Sequence, residues 1–245
     1  MAGFEEKEDP RRLWLIKALA AGAFAAGFPA GNAWGQNIFG SRPVKLPPNQ
    51  SIYRLSGDVT VNGAQANLGT RIGPSDSVRT GKDSEVIFVV GANAMILRSE
   101  GLLEMQQERS RAAGFVIAGL RMLTGRLLSV SRNQAMRLQT TTATIGIRGT
   151  GWYVEADPEL TYFCTCYGVT DVSANSDPLS RDTVAARKHD KPLNITADAA
   201  QGGNIQRAGF KNHSDQELML IETLVGRRVP FVFPGSNYTA PRRTY

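Results

Sequence analysis

From Ile52 onward the apolar residues fall into short alternating runs separated by turn signals, and this spacing confines the chain to a β architecture. The runs are Tyr53 to Leu55, Val59 to Val61 before Asn62-Gly63, Val86 to Val90, Met95 to Leu97 and Leu102 to Met105. They continue with Phe115 to Ile117, Arg126 to Val130, Met136 to Thr140, Trp152 to Ala156 and Tyr162 to Tyr167. Each is of strand length, and a period of two places alternate side chains on one face. Glycines at Gly114, Gly119, Gly125, Gly149, Gly151 and Gly168 punctuate the series. Many short strands at near-regular spacing predict a sandwich, a barrel or a rolled, solenoid-like sheet. Thr, Val and Ile crowd Thr140 to Ile147, and their branched β-carbons favour strand over helix. There is no strict repeat. The expected fold class is all-β, with the β domain over residues 51–175.

The pattern breaks in the C-terminal extension, residues 176–245. Ser214 or Asp215 can cap a helix whose apolar positions Leu218, Ile221, Leu224 and Val225 share one face, and Ser214 and Glu217 have the spacing of a capping box. One short helix is expected near 215–225. Gly226 ends it, with Arg227 and Arg228 at its negative end. At the other end of the β domain, residues 36–50 contain Gly40, Pro43, Pro47 and Pro48 and read as an extended linker.

Residues 1–35 have the plan of an export signal. A basic start at Arg11-Arg12 leads into an Ala- and Gly-rich apolar stretch, and a small-residue region follows Pro29. Arg11-Arg12 before Leu13, Trp14 and Leu15 fits the twin-arginine pattern, and the internal Lys17 suits that route. An ordinary secretory signal is the alternative. Only eleven residues separate Lys17 from Pro29, whereas a membrane-spanning helix needs about 20. Cleavage after Gly35, with Gly31 to Ala33 the competing site, would give a mature chain that begins near Gln36 and has no stable transmembrane helix. Periplasmic localisation is therefore expected.

With 42% apolar residues and two cysteines, the chain must rely on buried apolar area and not on a dense disulfide framework. Its net charge of +6 persists without residues 1–35, which carry four basic and four acidic side chains. The Lys and Arg residues are dispersed, with no run of five and no recognisable nucleic-acid module, so nucleic acid is not an expected partner.

TTTATIGIRGTGWYVE, residues 140–155, resembles the signature of the FecR domain family, in which a threonine-rich strand leads into an Arg-Gly-Thr turn and another strand. GDVTVNG (57–63), the Leu68-Gly69 turn and DSVRTGKDSEVIFVV (76–90) follow the same family's order. The resemblance runs from about Tyr53 to Ala174. It implies a rolled or solenoid-like periplasmic β domain, best known as the sensing part of regulators that relay ferric-siderophore signals to a sigma factor. Only ten residues precede Arg11, too few for a cytoplasmic sigma-binding bundle, so a stand-alone exported member is expected. Its partner would be an envelope protein or a periplasmic ligand.

Arg148, Gly149 and Thr150 are candidate binding residues. A structural turn between two buried strands is one reading, since both Gly149 and Gly151 tolerate positive φ. The other is an anion site formed by turn N–H groups and the Arg148 guanidinium.

Cys164 and Cys166 raise a separate question. On an extended strand, residues two apart share a face with their side chains about 6 to 7 Å apart. That is too far for the β-carbon separation a disulfide needs. The two histidines, His189 and His213, lie downstream, and if they fold back the four residues form a Cys2His2 set suited to zinc, copper or iron. The spacing of the cysteines is not the usual zinc one. A redox-active thiol pair and plain packing of small apolar side chains are the other readings. Twin-arginine export would suit a cofactor inserted before transport.

Catalytic motifs are not evident. Neither histidine sits in a recognisable nucleophile-base arrangement, and no phosphate-cradling loop occurs. Asp157 and Glu159 flank a proline turn, where solvated carboxylates are expected. The sequence reads as a non-enzymatic sensing or binding module in envelope signalling or assembly, with a metal- or cofactor-binding periplasmic protein as the alternative.

Overall fold

The computed structural model describes residues 43–110, 114–131, 135–200 and 203–231. The expected export signal and its cleavage site lie outside them. Among the described residues the chain forms fourteen strands in one open sheet and a single α-helix. The all-β architecture with a short C-terminal helix is as the sequence predicts.

The strands are β1 (Ile52–Ser56), β2 (Val59–Val61), β3 (Ala64–Gln65), β4 (Ser77–Thr80), β5 (Glu85–Val90), β6 (Asn93–Leu97) and β7 (Leu102–Ser110). Three long strands are β8 (Gly114–Val130), β10 (Ala143–Ala156) and β11 (Leu160–Ala174), with the short β9 (Ala135–Gln139) between the first two. The sheet runs on past residue 175 through β12 (Arg181–Ala186), β13 (Leu193–Ala200) and β14 (Gly203–Arg207). Helix α1 (Asp215–Leu224) follows.

Each long strand changes partners partway along its length. The first part of β8 pairs with β7 and, in parallel, with β9, whereas its second part pairs with β6 and β10. Strand β10 pairs with β9 up to Arg148 and with β8 from Gly151. Strand β11 pairs with β13 over Leu160 to Phe163 and with β12 from Gly168. A glycine with positive φ stands at each change: Gly125 at 93°, Gly149 at 62° and Gly168 at 92°. These glycines, read from sequence as turns between strands, are bends within strands. A β-carbon at Gly125 would stand 2.4 Å from the Gly101 Cα, and one at Gly168 would stand 2.6 Å from Thr150 Cγ2.

The sheet thereby folds over itself into two layers. Layer I runs β3-β2-β4-β7-β8-β9-β10-β11-β12, and layer II runs β1-β5-β6-β8-β10-β11-β13-β14. Between them lies the main core, with Val61, Val78 and Leu103 from layer I facing Phe88, Leu97, Leu127, Trp152 and Phe163 from layer II. Trp152 is fully buried and stacks on Phe163 at 6.1 Å. Burying side chains of this size is the dominant favourable contribution to a fold of this kind.

Layer II is buried on its other face as well. Ile87, Ile96, Leu128, Val130 and Tyr153 point away from layer I into a second apolar cluster completed by Leu218, Ile221 and Leu224 of α1. The helix begins with the expected capping box: Ser214 Oγ accepts from the Glu217 N–H, and the Glu217 carboxylate accepts from the Ser214 N–H. Arg227 pairs with Glu222 at 2.6 Å, and the Tyr167 hydroxyl donates to the same buried carboxylate. The linker is fastened to the helix end, since the Leu46 N–H donates to the Leu224 carbonyl at 2.9 Å.

Candidate metal centre

Cys164 and Cys166 both project from β11 into the cluster beneath α1, as a period of two requires. Their spacing is nevertheless not that of a regular strand. Gly151 pairs with Tyr167 and Trp152 with Thr165, so Cys166 has no partner on β10 and forms a β-bulge. The sulfurs lie within 4.8 Å of each other, closer than the expected 6 to 7 Å, because the bulge breaks the extended geometry. The bulge also frees the Cys166 carbonyl, which accepts the backbone N–H of His189 at 2.9 Å.

His189 sits in the loop after β12 at φ 51°, where the Asp190 carboxylate accepts from the N–H groups of Arg187 and Lys188. His213 immediately precedes the N-cap of α1. Its segment is held by Arg98, which donates to the Asn212 carbonyl at 2.6 Å and to Glu217 at 2.8 Å. On the other side, the Glu155 carboxylate accepts from Asn212 at 2.6 Å, from the Tyr153 hydroxyl at 2.8 Å and from Lys211 at 2.8 Å.

These elements bring four donor atoms to one point. Cys164 Sγ is 3.6 Å from His189 Nδ1, Cys166 Sγ is 3.4 Å from His213 Nε2, and the two nitrogens are 3.1 Å apart. All four lie within 4.8 Å of one another. Bond lengths of about 2.3 Å to sulfur and about 2.0 to 2.1 Å to nitrogen give a tetrahedron with edges of about 3.3 to 3.8 Å. Three of the cluster's six donor-to-donor distances, 3.1, 3.4 and 3.6 Å, are near those edges.

The far nitrogen of each imidazole is engaged. His189 Nε2 is 2.9 Å from Asp215 Oδ1, and His213 Nδ1 donates to the Lys211 carbonyl at 2.7 Å. This arrangement leaves His189 Nδ1 and His213 Nε2 with their lone pairs directed into the cluster, as a metal-binding imidazole needs. Both cysteines and His213 are buried. Tyr153 stacks on His213 at 4.5 Å, and Phe210 packs on His189 at 4.3 Å and on His213 at 4.5 Å.

Electrostatics divides the cluster. Burial pushes the Cys166 thiol up, and the adjacent Cys164 sulfur adds to this. Burial acts on Cys164 in the same sense, but hydrogen bonds from Cys166, His189 and His213 hold it well below the usual thiol range. His189 is raised, since Cys164 and Asp215 together outweigh its desolvation, whereas burial lowers His213. The set could hold a single transition-metal ion with four protein donors.

Arg148, Gly149 and Thr150 contribute no atom to this cluster. They form the bend of β10, where the Arg148 guanidinium pairs with Asp171 at 2.9 Å and Thr150 is fully buried. Asp215, read from sequence only as a candidate helix cap, supports the cluster together with Arg98, Glu155 and Lys211, which the sequence did not single out. Only their position after folding distinguishes them from other charged residues.

No protein-family model matches the chain, so the FecR resemblance rests on the motifs that carry it. No curated protein matches either. Two crystal structures of a candidate anti-sigma factor from Parabacteroides distasonis ATCC 8503 are similar, each at 13% identity and a TM-score of 0.42. Each match covers 54% of this chain and 59% of the other, so the chain matches about three fifths of that neighbour's length.

Proposed function

We propose that the protein is an exported, non-enzymatic envelope binding module whose β fold carries one zinc ion on Cys164, Cys166, His189 and His213. The carrying observation is the convergence of two sulfurs and two imidazole nitrogens within 4.8 Å, with each far nitrogen already engaged. Two thiol and two imidazole donors gathered around one point suit zinc(II), with copper(I) the closest competitor. Four protein donors leave no open coordination position, which is the arrangement of a structural site and not of a catalytic one. The twin-arginine pattern at Arg11-Arg12 supports export after folding, when the ion would already be in place. The FecR resemblance supports a role in meeting an envelope protein or periplasmic ligand.

Elemental analysis of full-length protein isolated from the periplasm tests the reading. One zinc per chain is expected, and none after combined Cys164→Ser and Cys166→Ser substitution. Wild-type protein without metal, or a variant with unchanged metal content, would overturn it.

A further inference from the structure

Building on the zinc reading above, we propose that Asp215 is a positioning residue of the metal centre. Through Asp215 and His213 the bound ion clasps helix α1 to layer II. Metal loading and docking of the helix are then one linked equilibrium.

Asp215 opens the first turn of α1 and is fully buried. One carboxylate oxygen meets His189 Nε2 at 2.9 Å and the other meets Lys188 Nζ at 3.0 Å. His213 lies next to the N-cap Ser214. The two histidines therefore reach the start of α1 by different routes, His213 through the chain and His189 through the Asp215 carboxylate. The two cysteines belong to β11, in the body of layer II. An ion bound to all four completes a continuous path from sheet to helix.

The chemistry of that path runs in both directions. A carboxylate on the far nitrogen fixes the tautomer and ring orientation of a ligating histidine and raises its basicity. An ion that binds only the docked arrangement stabilises it by mass action, and a docked helix in turn tightens the site. Other holds on α1 include the apolar contact of Leu218, Ile221 and Leu224 with layer II, the ion pair of Glu217 with Arg98 at 2.8 Å, the Tyr167 hydroxyl on Glu222 and the Leu46 N–H on the Leu224 carbonyl. Those contacts span the helix face, whereas the metal fixes its N-terminal end.

The test uses the full chain and zinc as the probe. Stoichiometric zinc binding by wild type is measured first, and its failure would overturn the zinc reading itself. With binding established, Asp215→Asn is expected to weaken zinc affinity by about 10- to 100-fold in competition with a chromogenic chelator, and Asp215→Glu to recover part of it. Stripping zinc from wild type is expected to speed amide exchange over residues 211–225 by about tenfold or more, with Ile87 and Leu128 unchanged. Wild-type affinity in the Asn variant overturns the positioning role. Exchange over 211–225 that is indifferent to zinc overturns the clasp, and this measurement stands even if the Asn variant does not fold.

Discussion

The carbonyl of Cys166 accepts the backbone N–H of His189 at 2.9 Å, so the residue that leaves the β10 ladder is the one that anchors the β12–β13 loop. One bulge therefore does two things. It draws two sulfurs together, and it holds the loop that brings the first histidine to them.

Removing a single donor tests the centre most directly. His213→Ala is expected to abolish stoichiometric zinc binding and to make thermal stability insensitive to a chelator, whereas the same chelator lowers the melting temperature of wild type. Zinc loading of wild type is also expected to fall in acid, because protons would compete for the same sulfurs and nitrogens. Calorimetry with and without chelator, at two pH values, reads both effects.

Acid stability depends on a different group. Burial would raise the Glu155 pKa, but hydrogen bonds from Lys211, Asn212 and Tyr153 hold it below the usual carboxylate range. A carboxylate whose folded pKa lies below its unfolded value of about 4.3 lends stability above that value and loses it as pH falls through the folded one. Glu155→Gln should lower the urea midpoint at pH 7 and flatten its decline below about pH 5. Measuring both proteins in chelator separates this from loss of metal.

The bends in the long strands tolerate substitution poorly. Gly168→Ala adds a β-carbon 2.6 Å from Thr150 Cγ2 at a φ of 92°, so strain and overlap act together. A loss of about 2 to 4 kcal/mol in urea unfolding is expected. Gly63→Ala is the comparison: φ is 80° but nothing lies within 4 Å, so only the backbone cost remains.

Arg148 should behave as a surface residue for stability. Its pair with Asp171 is solvent-exposed, and such pairs contribute about 0 to 1 kcal/mol. Arg148→Ala is expected to shift the urea midpoint only slightly and to leave zinc content unchanged.

Local signals were readable where the physics is local. Alternation located Val59 to Val61 and Tyr162 to Tyr167, and the Ser214 and Glu217 spacing located the helix start. The runs at Phe115 to Ile117 and Arg126 to Val130 proved to be parts of one strand, because Gly125 bends the chain without ending its hydrogen bonding. Strands such as β12, reading RDTVAA, were hidden because only Val184 and Ala186 are buried. The four donor residues were visible as types. Their geometry was not, because the Cys166 bulge depends on register with β10, and Asp215 gains its role only when α1 docks.

The crease through β8, β10 and β11 also bears on how the chain reaches its native state. Because these three strands belong to both layers, the pairing of one layer continues directly into the other. Assembly is accordingly expected as one cooperative step with many contacts between distant parts of the sequence, and such topologies fold slowly.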